Sequence, residues 1–126
     1  MKKLLFLALF IFAGTFIYAQ QNQAPVTFDK VKHSFGKINQ GVPTTTVFTF
    51  TNKSNKPMVI ANVLSSCGCT TPEYAKTPVM PGKKGTIKAG YNAAAGGAFS
   101  RTLTVLFAGY DKPTVLTIEG EVVSKS

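Results

Sequence analysis

The chain is 126 residues long, and 14 basic residues against 5 acidic ones give it a formal net charge of +9. That length suits one domain built on one core. The charge argues against a nucleic-acid partner: Arg101 is the single arginine, the lysines are scattered through the sequence, and recognition of phosphate favours bidentate arginine. A solvated cationic surface is the expectation.

Residues 1–19 read as a signal peptide. Met1-Lys2-Lys3 is a basic start, Leu4 to Tyr18 an apolar stretch, and Ala19 a small residue at the cleavage position before Gln20. A membrane anchor is the competing reading, but a spanning helix needs about 20 apolar residues and this run is shorter. Gln20, where a lipid-attached start would need cysteine, argues the same way. The mature chain is expected to be exported, periplasmic or extracellular in the cell envelope, with no stable membrane insertion after cleavage. Losing Lys2 and Lys3 lowers its net charge to about +7.

Residues 20–25 are polar and predict a flexible leader before a domain over 26–123. Val26-Thr27-Phe28, then Val31, His33 and Phe35, alternate with period two, as half-buried strands do. Asn39-Gln40-Gly41 is a turn signal. Thr44 to Asn52 is the clearest strand, with Phe48 and Phe50 on one face. Asn52 to Pro57 supplies the next turn, and Met58 to Leu64 a second strong strand. Pro72, Pro78 and Pro81-Gly82 then predict a break in regular structure. Further strands are expected over Gly85–Tyr91, Phe99–Phe107 and Thr114–Val123, separated by the loop Asn92–Gly97 and the hairpin connection Gly109–Pro113. Arg101 falls on the apolar face of its strand, which predicts a strand end or a head turned to solvent. About seven strands and no amphipathic helix predict an all-β, immunoglobulin-like β-sandwich, with a small barrel as the alternative. The core is expected from Phe35, Phe48, Phe50, Leu103, Val105, Leu116 and Ile118, because the chain has no tryptophan.

Both cysteines lie in Ser65-Ser66-Cys67-Gly68-Cys69-Thr70-Thr71-Pro72, and Cys67, Gly68, Cys69, Thr70 and Thr71 form the candidate binding loop. Four readings stay open. A Cys67–Cys69 disulfide suits an exported chain. Extended i, i+2 residues have Cα atoms about 6.5–7 Å apart, at the edge of disulfide geometry, and Gly68 would permit a tighter, even left-handed, turn. A thiol–disulfide redox site would need a helix N-terminus or a nearby positive charge. A copper or zinc site would need partners for Cys67 and Cys69, and the mature chain offers His33, Met58 and Met80 at no telling spacing. His33 reads as a packed or surface residue and the methionines as gap fillers. The fourth reading is a packed pair that finishes a strand. With one histidine, no defensible pairing of Asp29, Glu73, Asp111, Glu119 and Glu121, and no phosphate loop at Gly96-Gly97, no catalytic residue and no cofactor is expected.

Several segments carry a resemblance. His33-Ser34-Phe35-Gly36-Lys37-Ile38, Val47 to Asn52, Ser66-Cys67-Gly68-Cys69-Thr70-Thr71-Pro72 and Leu116 to Val122 resemble a bacterial exported family known as domain of unknown function 1573, common in Bacteroidetes-type genomes. The resemblance covers about residues 26–123. It implies an immunoglobulin-like sandwich related in shape to the ASPM/SPD-2/Hydin and major-sperm-protein domains, and through them a binding or structural module of the envelope with an unidentified protein or envelope partner. Gly90 to Ala95 departs from the Phe-x-Pro-type segment usual in that family. The alternative function is thiol–disulfide redox or copper/zinc handling through Cys67-Gly68-Cys69.

Overall fold

Alternation between apolar and polar residues produces strands with one buried face, and two such faces must meet. The computed structural model describes residues 23–124; the expected signal peptide lies outside them. Eight strands are present: β1 Val26–Phe28, β2 Lys32–Asn39, β3 Thr44–Asn52, β4 Ile60–Ser65, β5 Thr70–Tyr74, β6 Lys84–Tyr91, β7 Gly97–Phe107 and β8 Thr114–Val123. One sheet has the order β1-β3-β6-β5 and the other β2-β8-β7-β4. Strand β2 runs parallel to β8, whereas β3 with β6 and β7 with β8 are antiparallel. The all-β immunoglobulin-like sandwich is therefore observed. No helix among the described residues is long and apolar enough to cross a membrane.

The sandwich holds one strand more than the sequence predicts, and that strand is β5. Pro72, expected to break regular structure, pairs with Ala89 inside it. Strand β5 is an edge of its sheet, where a missing backbone N–H costs no ladder bond on the open side. Strand β4 begins at Ile60, two residues later than expected, because Met58 makes a separate bridge with Val79. Gln23 to Pro25, expected to be part of a flexible leader, are packed: Gln23 bridges Lys112, Ala24 is buried, and the Pro25 carbonyl accepts the Lys53 N–H.

Phe48, Phe50, Ile87 and Ala89 of one sheet, with Leu103, Val105, Leu116 and Ile118 of the other, are all fully buried. Each large side chain contributes about 1.5–3 kcal/mol through burial. The Phe50 and Phe107 rings meet edge to face at 5.3 Å, and Tyr91 stacks on Phe99 at 3.9 Å. Phe35, expected in the core, is only partly buried because β2 is an edge strand. Met58 fills the interior as expected, but Met80 is 53% exposed. Arg101 lies within β7 opposite Ile118; its Nε is buried without a hydrogen-bond partner, and its Nη1 donates to the Ser100 carbonyl at 3.1 Å. Gly120 is required for close approach, since a Cβ there would lie 2.9 Å from the Gly36 carbonyl oxygen and 3.0 Å from the Phe99 ring.

Asn52, at the end of β3, is a fully buried polar side chain. Its Nδ2 donates to the carbonyls of Lys56 and Val79, both at 2.8 Å, and its Oδ1 accepts from the Ser54 N–H and hydroxyl. Such a group is stable inside only because every lone pair and proton is used. Replacing Asn52 with alanine would remove all four bonds and leave the Ser54 N–H without its acceptor, although the Val79 and Lys56 carbonyls keep the Met58 N–H and the Ser54 hydroxyl as donors. Asn52→Ala is therefore expected to lower unfolding stability by about 2–3 kcal/mol in urea titrations.

Candidate functional site

The chain crosses from one sheet to the other between β4 and β5, through Ser66-Cys67-Gly68-Cys69. The crossing is anchored on both sides. The Ser66 N–H donates to the Thr102 carbonyl at 2.9 Å, and the Thr102 N–H donates back to Ser66 Oγ at 3.1 Å. Ser65 Oγ donates to the Cys67 carbonyl at 2.9 Å, and the Asn92 N–H donates to the Cys69 carbonyl at 3.1 Å. Cys67 and Cys69 are joined as a disulfide, with Cα atoms 5.3 Å apart, closer than an extended chain would hold them. Thr70 is buried, with its hydroxyl 3.7 Å from Cys67 Sγ. Gly68 and Thr71 are exposed, and the cysteines are half-buried.

Gly68 does not adopt the left-handed turn considered for it. It is not among the positive-φ glycines, and a Cβ built on it would meet nothing within 4 Å. Nor does the fold gather the other metal-donor candidates around the cysteines. Met58 precedes β4 and bridges Val79, at the end of the strand opposite Ser65. His33 pairs with Ile118 on β2, and its Nδ1 accepts from Lys30 Nζ at 2.9 Å. Among the described residues, no group of three His, Cys, Asp or Glu side chains could hold a metal ion.

The structure adds two loops to the site that the sequence reading did not include. The Gly41 N–H donates to the Ala93 carbonyl at 2.9 Å, and Gln40 Nε2 to the Ala94 carbonyl at 3.0 Å. With the Asn92–Cys69 bond, these contacts join residues 39–43, 66–69 and 92–96 into one rim at one end of the sandwich. Ala93 is fully buried with φ at 55°, a region L-residues seldom occupy. Asn92 Oδ1 holds that turn by accepting the Ala94 N–H at 3.0 Å. Asparagine at such a position is the legible signal for an Asx turn. The rim segments contain no charged residue.

A three-residue disulfide ring removes little chain entropy, about 1.6 kcal/mol. Cys67→Ser with Cys69→Ser is expected to leave a folded protein destabilised by no more than about 2 kcal/mol, read from denaturant midpoints. Gly68→Ala is expected to shift stability by less than about 1 kcal/mol in the same assay. His33 has its pKa lowered below the usual histidine value by burial and by the adjacent Lys30 ammonium. The unfolded chain then binds the proton more readily, so stability is full above the ordinary histidine pKa and declines as pH falls through that value toward the folded one. Melting temperature is expected to drop as pH falls below the ordinary histidine value of about 6.5, and His33→Gln is expected to flatten part of that slope.

Comparison with known proteins agrees with this architecture. The model of the family described as "Protein of unknown function (DUF1573)" matches residues 26–122. No curated protein matches the sequence. Among solved structures, the ASH/PapD-like domain 7 of human CEP192 is similar with a TM-score of 0.70 at 6% identity, covering 82% of this chain and 88% of that one. A protein of unknown function from Porphyromonas gingivalis is similar at a TM-score of 0.66 and 12% identity, covering 79% of this chain and 49% of that one. WR4, a C. elegans MSP family member, gives a TM-score of 0.55 at 9% identity, with 80% of this chain and 100% of that one covered. At these identities the solved structures speak for the fold alone. The family match spans most of the sequence, and the chain belongs to the DUF1573 family.

Proposed function

We propose that this chain is an exported, non-catalytic binding or structural module of the cell envelope, and that the rim around Cys67–Cys69 is its partner-contact surface. The observation that carries this reading is the rim itself: residues 39–43, 66–69 and 92–96 are tied to one another by the Asn92–Cys69, Gly41–Ala93 and Gln40–Ala94 hydrogen bonds. Loops held on a rigid scaffold are where binding residues concentrate. An uncharged, hydrogen-bonded rim can be covered by a partner without desolvating a charge. Cys67, Gly68, Cys69, Thr70 and Thr71 contribute to it, with the disulfide holding the crossing closed and Thr70 seated in the sandwich. The single histidine, His33 on β2, is engaged by Lys30, and β8 and β7 separate β2 from β4, which leads into the cysteine crossing, so it does not stand beside the cysteines as a base.

Two measurements test this reading. The intact mass of protein recovered from the envelope fraction is expected to match a chain beginning at Gln20 with both cysteines oxidised. Recovery of the unprocessed chain from the cytoplasm contradicts export. Photo-cross-linkers placed at Ser66 and Gly68 are expected to capture a partner in producing cells, while one at Val47, exposed on the outer face of β3, does not. Capture that persists in the Cys67→Ser, Cys69→Ser protein marks the disulfide as scaffold. An absence of capture at Ser66 and Gly68 removes the rim as a contact surface, and loss of a thiol-exchange activity in the double variant makes the cysteines the chemistry instead.

A further inference from the structure

The lysines that look scattered along the sequence converge in space at the end of the sandwich opposite the rim. Asn52 draws them together. Its side chain bonds the Lys56 and Val79 carbonyls, its backbone N–H donates to the Lys83 carbonyl at 2.9 Å, and its carbonyl accepts from Gly82 at 2.9 Å. Lys53 follows it and donates its N–H to Pro25. Lys84 is the register partner of Thr51, and Lys112 bridges Gln23 in the same corner. Lys53, Lys56, Lys83, Lys84 and Lys112 are all exposed. Among the described residues, neither ion pair, Lys32–Glu119 or Lys88–Glu73, includes any of them, and no hydrogen bond engages their ammonium groups. The connecting segments at this end bring Asp111 as their sole acid. Crowding like charges opposes folding, and these five do no structural work that offsets it.

A groove of about 350 Å³ opens beside two of them, Lys83 and Lys84. Pro78, Val79 and Met80 form an apolar wall, and Lys83 and Lys84 flank it. Gly85 helps keep it open: a Cβ there would collide with the Phe50 ring and approach Val79 to 2.9 Å. Met80, 53% exposed, lends an adaptable apolar surface at the mouth.

We infer that this groove docks an acidic peptide segment of a partner protein, with an apolar side chain seated against Val79 and Met80 and flanking carboxylates facing the lysines. Charge complementarity names the acidic partner. The concave apolar wall calls for an inserted side chain, whereas a bilayer would need a protruding apolar cluster. Nucleic acid is disfavoured because no arginine lies in the loops of this end. This surface is separate from the rim, and each stands or falls without the other.

Fluorescence anisotropy tests it with a labelled peptide of aspartates and glutamates flanking a central Leu-Phe pair. Saturable binding is expected. It is expected to weaken at high salt, to weaken when Leu-Phe becomes Ser-Ser, and to vanish when the acids become lysines. Lys83→Glu with Lys84→Glu is expected to reduce affinity about tenfold or more, and Met80→Ser to reduce it less. Lys32→Glu, on the other sheet, is expected to leave binding unchanged. These substitutions lie at exposed positions, and unchanged circular dichroism and melting confirm the fold of each variant. Lack of saturable binding overturns the proposal, as does equal binding of the Ser-Ser peptide. Co-sedimentation with vesicles of phosphatidylcholine and phosphatidylglycerol, without peptide binding, assigns the lysines to a membrane surface and overturns it too. Cross-linking at Ser66 and Gly68 is expected to be untouched by Lys83→Glu and Lys84→Glu.

Discussion

The packing of β3 and β6 against β7 and β8 is the interaction on which the rest of the molecule depends. Phe48, Phe50 and Ile87 meet Leu103, Val105, Leu116 and Ile118 with no solvent left between them. A strand that slipped by one residue would turn this entire set outward, so burial locks every register. Once registers are locked, the loops have no choice of neighbour. The Cys67–Cys69 crossing must lie beside Asn92, and the turn after β3 must lie beside Lys83.

Both ends of the sandwich satisfy their backbone groups with main-chain bonds between loops, and the end opposite the rim adds a fully buried side chain. At the rim, main-chain bonds between loops do most of the work, helped by the Gln40 and Asn92 side chains. At the opposite end a single buried amide, Asn52, satisfies four partners and fastens β3 to both neighbouring loops. Charge follows the same division. The rim segments carry none, whereas Lys83 and Lys84 flank the groove by Val79 and Met80 and Lys53, Lys56 and Lys112 lie at the same end of the sandwich. An uncharged rim and a lysine-rich end present surfaces of different chemistry at opposite ends of the sandwich.

The disulfide belongs to this picture as a local clasp. Its ring is too short to constrain the unfolded chain appreciably, and it connects no distant elements. It holds the one crossing where β4 leaves its sheet for the edge strand β5. Arg101, next along β7 from the Thr102 that pairs with Ser66, keeps its Nε buried without a hydrogen-bond partner, and nothing in the structure explains that cost.

Period-two runs of β-branched and aromatic residues were enough to read the sandwich, most of its strands and most of its core, because alternation is a local consequence of the pleat. The cysteine loop was legible as the place where unusual chemistry gathers, and the motifs around it carried the family resemblance. Strand β5 was hidden because Pro72 is forbidden inside a sheet and tolerated at an edge, and edges are assigned only when all strands are placed. The structure, and not the spacing, set the Cα atoms of Cys67 and Cys69 at 5.3 Å, since the separation of an i, i+2 pair depends on the backbone path. It alone brought Gln40, Asn92 and Ala93 to the rim, and turned lysines dispersed from Lys53 to Lys112 into one cationic end. Those are contacts between residues far apart in the chain, and only the closed packing of two sheets makes them neighbours.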